Sequence, residues 1–155
     1  MRQIEIGSDA WMSLIGEIVS NYSDGELIPH DWLKTNFGLK KLNYADFDCQ
    51  EDFEKAIQVQ QFSYMTLVDT LRWQLLEQER MYMKNVRGDG YVIMNPKDQA
   101  QYGYDELLKD VKKATREAEM IMNYVRPIPH ENQSRDNDLR AKCAIIKQMF
   151  QNIRR

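Results

Sequence analysis

The most constraining feature of this sequence is a change in hydrophobic period near Met81. Residues 51–80 contain neither glycine nor proline, and their apolar side chains recur at helical intervals. From Met81 to Met94 the residues alternate and favour strands, and the turn Arg87-Gly88-Asp89-Gly90 divides this stretch in two. Two short strand-like runs around a glycine-containing turn predict a β-hairpin. A helix must therefore pack close to a two-stranded ribbon.

The residues before this helix predict smaller elements in a definite order. Met1–Ile6 alternates like a short edge strand, and Ser8 or Asp9 is suited to cap the helix that follows. Residues 27–29 are expected to be extended, because the residue before a proline avoids helical geometry. His30–Phe37 then carries a second helical stripe. The predicted order is strand, helix, short strand, helix.

The stretch 51–80 is long enough for one helix or for two helices joined by a bend. We expect two helices, the second running from Phe62 to Arg80. With the hairpin added, the order is helix, short strand, helix, helix, hairpin, as in a winged helix-turn-helix domain. The sequence therefore predicts a mainly α fold with a small β-hairpin, of the α+β class. Residues 1–95 would form the winged-helix domain.

The remaining residues, 96–155, have helical patterns only and predict a C-terminal helical arm. Apolar side chains at near-heptad spacing run through residues 104–125, and a second stripe follows a predicted cap at Ser134 or Asp136. The segment Arg126-Pro127-Ile128-Pro129 breaks the chain between them. Because seams of this kind pair helices, we expect a helical hairpin and a homodimer formed through residues 104–153. Binding of another protein by this arm is the alternative.

Two stretches resemble a known family. Val68-Asp69-Thr70-Leu71-Arg72 and the turn from Val86 to Tyr91 resemble the end of OmpR-type winged-helix effector domains. In that family a recognition helix bearing Leu-Arg precedes a hairpin with a Val-Arg-Gly-x-Gly-Tyr turn. The family also has a multi-stranded sheet before its first helix and a receiver domain, and this sequence has the pattern of neither. A small chain with a wing and a helical tail is also similar to small phage- or prophage-encoded proteins.

The resemblance implies a set of DNA-binding residues. It places the helix after Phe62 in the major groove of double-stranded DNA and the hairpin, as the wing, against the backbone or minor groove. Hydroxyl, amide and guanidinium groups could then bond to base edges or phosphates, whereas Asp69 on the same helix would repel phosphate. The implied residues are Ser63, Thr66, Thr70, Arg72, Trp73 and Gln74 on the helix, and Lys84 and Arg87 on the wing.

The charge distribution divides the function hypotheses. Residues 1–95 hold nine Lys and Arg against fifteen Asp and Glu, a net charge of −6, and residues 96–155 hold twelve against nine, a net charge of +3. The first hypothesis is a non-enzymatic DNA-binding regulator of transcription or replication, with the basic arm attracting phosphate. The acidity of the predicted winged-helix domain favours the alternative. In that reading its acidic face binds a protein partner, such as a host protein that handles nucleic acid, and inhibits or recruits it.

No residue pattern indicates an enzyme. No nucleophile motif surrounds a serine or cysteine, and His30 and His130 lie outside any metal-ligand spacing. We therefore expect no catalytic residues, no metal and no cofactor. No apolar run reaches the ~20 residues that a membrane span requires, and Glu5 interrupts the stretch where a signal peptide would be apolar. The expected location is the cytoplasm.

Overall fold

The computed structural model describes residues 3–126 and 129–153, which divide into two compact units, one within residues 1–99 and one within residues 100–155. The fold is mainly helical with a three-stranded antiparallel sheet, so the predicted α+β class is confirmed. The helices are α1 (Asp9–Asn21), α2 (His30–Asn36), α3 (Gln50–Glu79), α4 (Pro96–Asn123) and α5 (His130–Ile153), with a short 3₁₀ turn at Tyr44–Asp46. The strands are β1 (Leu27–Pro29), β2 (Met83–Val86) and β3 (Gly90–Ile93).

The strands form one antiparallel sheet in the order β1-β3-β2. In the central strand, Tyr91 pairs with Asn85 of β2 on one side and with Ile28 of β1 on the other. The predicted hairpin is thus confirmed. The short strand predicted at residues 27–29 is β1, and its pairing with β3 makes the sheet three-stranded.

Gly90 allows β1 and β3 to approach each other. Its φ is +154°, and a Cβ atom at this position would lie 2.1 Å from the backbone oxygen of Ile28. Any side chain would therefore overlap the neighbouring strand, which makes glycine necessary here. The other glycine of the turn, Gly88, has a φ of +88° with open space around it.

The core of the first unit forms between α1, α2, α3 and the sheet. Ser8 caps α1, as predicted, by accepting a hydrogen bond from the backbone N–H of Trp11 at 3.2 Å. The rings of Trp11 and Phe37 stack with centroids 6.0 Å apart, joining α1 to the end of α2. The buried side chains are Trp11, Leu14, Ile15, Ile18, Ile28, Leu33, Phe37, Leu67, Val68, Leu71, Leu75, Met83, Tyr91 and Ile93.

The long stretch before the hairpin is one helix of 30 residues, so the predicted bend before Phe62 is wrong. Without glycine or proline, nothing interrupts the ladder of hydrogen bonds between successive turns. The helix ends at Arg80, which adopts the left-handed conformation with a φ of 60°. The backbone N–H of Arg80 still bonds to the oxygen of Leu75, which closes the last turn.

The edge strand predicted at Met1–Ile6 is wrong over residues 3–6, which form no strand; the first two residues lie outside the described ones. Instead the backbone N–H of Ile4 donates to the oxygen of Phe37 at 2.9 Å, and the Ile4 side chain packs against the core. One hydrogen bond to the end of α2 and one packed side chain hold this segment. Its alternation reflects a half-buried chain without a partner strand.

The second unit is a pair of antiparallel helices. The phenol of Tyr104 on α4 donates to the backbone oxygen of Ile153 on α5 at 3.4 Å, and Lys147 bonds to Glu119 between the same helices. The predicted helical hairpin is therefore present. The two central residues of the predicted break at 126–129 lie outside the part of the chain that the structure describes.

The first helix of this pair begins before the heptad stripe that starts at Tyr104. It begins at Pro96, and Asn95 accepts a hydrogen bond from the backbone N–H of Lys97 at 3.2 Å. Asparagine is a favourable residue just before a helix, and proline fits the first turn because that turn does not need its N–H. The same Asn95-Pro96 pair that ends the hairpin therefore also starts α4.

The last helix also begins earlier than predicted. It begins at His130, so the caps predicted at Ser134 and Asp136 are wrong. Pro129 precedes the first turn, and its backbone oxygen accepts a hydrogen bond from the N–H of Asn132 at 3.0 Å. A polar run without glycine or proline can continue the helix from there, so no further cap is needed.

Candidate binding surface

The two sides of α3 have different environments. Its inner side, which includes Leu67, Val68, Leu71 and Leu75, is buried in the core, where α3 contacts α1 and β2. Because a helix turns by about 100° per residue, side chains offset by half a turn from this stripe face outward. The outward side of α3 is therefore the candidate contact surface.

We define the α3 outer face as the exposed residues between Val59 and Trp73. Four of them are large and apolar: Val59, Phe62, Met65 and Trp73 are 65%, 68%, 59% and 62% exposed. Asp69 carries the only charge among the exposed residues of this fully described stretch. At 1.5 Å per residue the face is about 21 Å long. The α3 outer face consists of Val59, Gln61, Phe62, Met65, Thr66, Asp69 and Trp73.

A groove of about 530 Å³ adjoins the N-terminal end of this face. Ile4 and Ile6 of the N-terminal segment line one side, and Val59 and Phe62 of α3 line the other. Ile6 is itself 43% exposed, so apolar surface continues from the helix into the groove. The surface available to a partner is wider than a single helical stripe.

The predicted hydroxyl contacts are partly occupied within α3. Thr66 lies on the outer face, but its hydroxyl donates to the backbone oxygen of Phe62 at 3.0 Å. Thr70 is half-buried and its hydroxyl donates to the oxygen of Thr66 at 2.9 Å, and Ser63 is also half-buried. A hydroxyl that already donates offers only lone pairs, which cannot bond to phosphate oxygens.

Arg72, one of the residues implied to bind DNA, faces the hairpin instead. Its Nε donates to the backbone oxygen of Met83 at 3.1 Å, and another guanidinium nitrogen donates to the phenol of Tyr82 at 3.3 Å. The guanidinium also lies 5.7 Å from the ring centroids of Tyr82 and Tyr91, with Asp69 at 3.5 Å. Arg72 therefore joins α3 to the sheet.

Gln74 is also engaged inside the unit. Its side-chain oxygen accepts a hydrogen bond from the indole N–H of Trp11, whose side chain is fully buried. This bond satisfies a donor in the core and connects α1 to α3. Among the predicted helix residues, Thr66 and Trp73 remain on the outer face.

The two predicted wing residues are exposed. Lys84 lies on β2, and Arg87 lies in the turn between β2 and β3. Asp89 is exposed in the same turn, so the tip carries charges of both signs. Phosphate contacts from this hairpin would thus be made beside a carboxylate.

The sequence analysis places Trp73 among the outward residues of the helix, but it does not separate Phe62 and Met65 from the other apolar positions. The angular position of these residues around the helix axis could have separated them from the buried residues. Phe62, Asp69 and Trp73 are seven and four residues apart, as are positions 64, 71 and 75 of the inner side. Two apolar stripes on opposite sides predict a helix with two contact surfaces.

A second cavity, of about 450 Å³, lies between α2 and α3. There the Nδ1 atom of His30 and the phenol of Tyr64 are 2.7 Å apart, and the ring of Tyr91 lies against His30. Burial raises the pKa of the Tyr64 phenol well above its ordinary range, with smaller contributions from Tyr91 and Asp31. A phenol that holds its proton so tightly is a poor base or nucleophile, so this cluster joins elements together.

Among residues 3–126 and 129–153, no group of three or more histidine, cysteine, aspartate or glutamate side chains is arranged to hold a metal ion. Over the same residues, no helix has the length and apolar character needed to cross a membrane. Comparisons with protein-family models, curated proteins and solved structures found no match.

Proposed function

We propose that the first unit is a winged-helix module that binds a protein partner through the α3 outer face. The order α1-β1-α2-α3-β2-β3 and the strand order β1-β3-β2 support the winged-helix assignment. In this assignment α3 is the recognition helix and the β2–β3 hairpin is the wing. The partner is a protein that the module inhibits or recruits, and the module has no catalytic role.

The observation that carries this proposal is the exposed apolar surface of α3. Val59, Phe62, Met65 and Trp73 each leave more than half of their surface in water. Fully burying such a side chain is worth about 1.5–3 kcal/mol, and aromatic residues dominate binding energy at protein interfaces. Duplex DNA offers few apolar surfaces to match these side chains, whereas a protein groove can bury all four.

Charge supports a protein partner in a second way. The segment 1–95 has a net charge of −6, and Asp69 lies in the middle of the outer face. The acidic residues Glu51, Asp52 and Glu54 occupy the first turns of the same helix. Phosphates would be repelled along this length, whereas basic side chains would be attracted. The expected partner surface is an apolar groove bordered by lysine or arginine.

The test is a quantitative pull-down from nuclease-treated extract of cells that contain the protein, with matched variants. Phe62→Ser combined with Trp73→Ser removes the apolar face, and Lys84→Ala combined with Arg87→Ala removes the wing charges. All four side chains are exposed, so the variants should keep the circular dichroism of the original chain. The proposal expects one protein to be retained by the original chain and the wing variant and lost from the face variant. Equal retention by both variants would contradict it.

A second function, regulation of transcription or replication by DNA binding, is favoured by the exposed Lys84 and Arg87 on the hairpin. Fluorescence anisotropy with a labelled random duplex at low salt tests it. Under this second reading the chain binds, Arg87→Ala weakens binding, and the salt slope falls by about one unit. Absence of salt-sensitive binding at low salt would reject it, since non-specific phosphate attraction is general among DNA-binding proteins.

A further inference from the structure

The second unit exposes a broad apolar face that two helices alone do not cover. The described residues of α4 and α5 include no buried side chain. Leu107, Ile121, Leu139, Ile146 and Ile153 are between 48% and 67% exposed. Contiguous apolar surface of this kind marks an interaction site.

The exposed residues repeat at heptad intervals on both helices. Such a repeat is the pattern of a helix that packs along its length against another helix. The interval is seven residues throughout, so the two stripes have the same rise per repeat and can lie side by side. The stripes are Leu107, Ala114 and Ile121 on α4, and Leu139, Ile146 and Ile153 on α5.

Both stripes lie on the same side of the hairpin. Val111 and Thr115 of α4 and Lys147 and Phe150 of α5 line one cavity between the helices, and they define the sides that face each other. On each helix the exposed stripe is offset from that side by about 80°, in the same rotational sense along the chain. Because the helices are antiparallel, equal offsets turn both stripes toward one face of the pair.

Opposite charges border the two edges of this face. On α4, Glu117 lies just beyond the stripe, and on α5, Arg135 and Lys142 lie just beyond the stripe at the opposite edge. All three are exposed, and Lys142 also forms an ion pair at 2.6 Å with Asp138, one turn earlier on α5. The positions next to the stripe are thus acidic on α4 and basic on α5, an arrangement that allows the face to pair with a copy of itself.

We infer that the second unit forms a homodimer in which two hairpins pack face to face as a four-helix bundle. A two-fold axis parallel to the helices places α4 of one subunit on α5 of the partner subunit, so acidic edges meet basic edges. A two-fold axis across the helices would place α4 on α4 and bring two acidic edges together. The charges therefore select the α4-on-α5 arrangement.

The contacts within the hairpin fix which residues would meet. The bonds from Tyr104 to Ile153 and from Lys147 to Glu119 place Glu117 within about one helical turn of the level of Lys142. A two-fold axis along the helices keeps each level unchanged. Glu117 of one subunit then meets Lys142 of the partner subunit, and the pair occurs twice.

The size of the face corresponds to a weak contact between two copies of the chain. From Leu107 to Ile121, as from Leu139 to Ile153, it is about 21 Å long, and two adjacent helices are about 20 Å wide. The total area covered on the two subunits is then about 840 Å², which lies in the size range of weak or transient contacts. A modest, concentration-dependent dimer is the expected state.

Sedimentation equilibrium on the full chain tests the dimer. The chain should show twice its mass of 18.4 kDa at high concentration, and Ile121→Glu combined with Ile146→Glu should return it to a monomer. Met120→Glu combined with Ile145→Glu is the matched control, because these neighbours are 55% and 57% exposed and point away from the face. The control should remain dimeric. A monomeric original chain, or equal behaviour of the two double variants, would overturn the inference.

A charge exchange tests the arrangement of the helices. Glu117→Lys alone and Lys142→Glu alone each place like charges opposite each other twice, and each should weaken the dimer about fivefold. The combined exchange should restore the original dissociation constant, because it reverses both members of each pair. If the combination is weaker than either single change, the α4-on-α5 arrangement is wrong.

Discussion

The Nε atom of Arg72 donates a hydrogen bond to the backbone oxygen of Met83 at 3.1 Å, which joins α3 to the first strand of the hairpin. The guanidinium also lies 5.7 Å from the ring centroids of Tyr82, just before β2, and of Tyr91 in β3. An arginine held in this way orients the hairpin against the helix, and its charge is paired at 3.5 Å with Asp69 of the α3 outer face. The relative position of α3 and the hairpin thus depends on a residue to which the family resemblance gave a DNA-binding role.

Replacing Arg72 should therefore reduce stability. Arg72→Lys keeps the charge but loses the planar Nε donor and the fit to two rings, and the free energy of unfolding should fall by about 1–2 kcal/mol. Arg87→Lys in the exposed turn is the matched control and should change it by less than about 0.5 kcal/mol. Urea denaturation measures both. Equal values for the two variants would show that Arg72 has no structural role.

Gln74 should also be a stabilising residue. Gln74→Leu removes the acceptor for the buried indole N–H of Trp11, and leaving that donor without a partner should cost about 1–3 kcal/mol. Gln78→Leu, at an exposed position one turn along the same helix, is the control. Thermal unfolding compares the two variants, with the helical signal followed by circular dichroism at about 222 nm. A loss confined to Gln78→Leu would contradict the assignment.

The two glycines of the hairpin should respond very differently to alanine. Gly90→Ala places a methyl group 2.1 Å from the backbone oxygen of Ile28, so we expect a loss of about 3 kcal/mol or more through separation of β1 from β3. In Gly88→Ala the added methyl group has no atom within 4 Å, so only the positive φ is unfavourable, and the free energy of unfolding should fall by about 1–2 kcal/mol. Chemical denaturation of both variants measures the difference. Similar losses would mean that β1 does not lie against Gly90.

Stability should fall in alkaline solution. Burial raises the pKa of the Tyr64 and Tyr91 phenols above the ordinary value of 10.0, although Arg72 partly opposes the shift at Tyr91. Above pH 10 the unfolded chain loses these protons while the folded chain retains them, so the free energy of unfolding decreases as pH rises. Urea denaturation between about pH 9 and about pH 11 measures the decline. Tyr64→Phe should make it shallower, and an unchanged slope would exclude Tyr64 as a cause.

The hairpin and the α1 stripe could be predicted from sequence because local chemistry determines them. The glycine-containing turn around Arg87 allows few conformations, and Ser8 with Trp11 forms a local cap. The single long α3 could also have been inferred, since no residue in it breaks a helix. The pairing of the short strand β1 with the hairpin brings Ile28 next to Tyr91. These residues are far apart in sequence, so no local pattern specifies the pairing.

The candidate surface was harder to predict for the same reason. Arg72 and Gln74 have the chemistry of DNA-binding residues, and only their contacts with Met83 and Trp11 show that they are engaged within the unit. Phe62 has the chemistry of a core residue, and its exposure depends on the phase of α3 against the core. Sequence and structure both point to α3, but tertiary contacts decide which of its sides is exposed.

The most direct test of the central proposal is site-specific photo-cross-linking in cells that contain the protein. A benzophenone side chain replaces Trp73 on the α3 outer face in one sample and Arg87 in the hairpin turn in another. We expect the Trp73 position to form a cross-link to one discrete protein that survives nuclease treatment, and the Arg87 position to form much less of it. Cross-links to nucleic acid at both positions, with none to protein at position 73, would contradict the proposal.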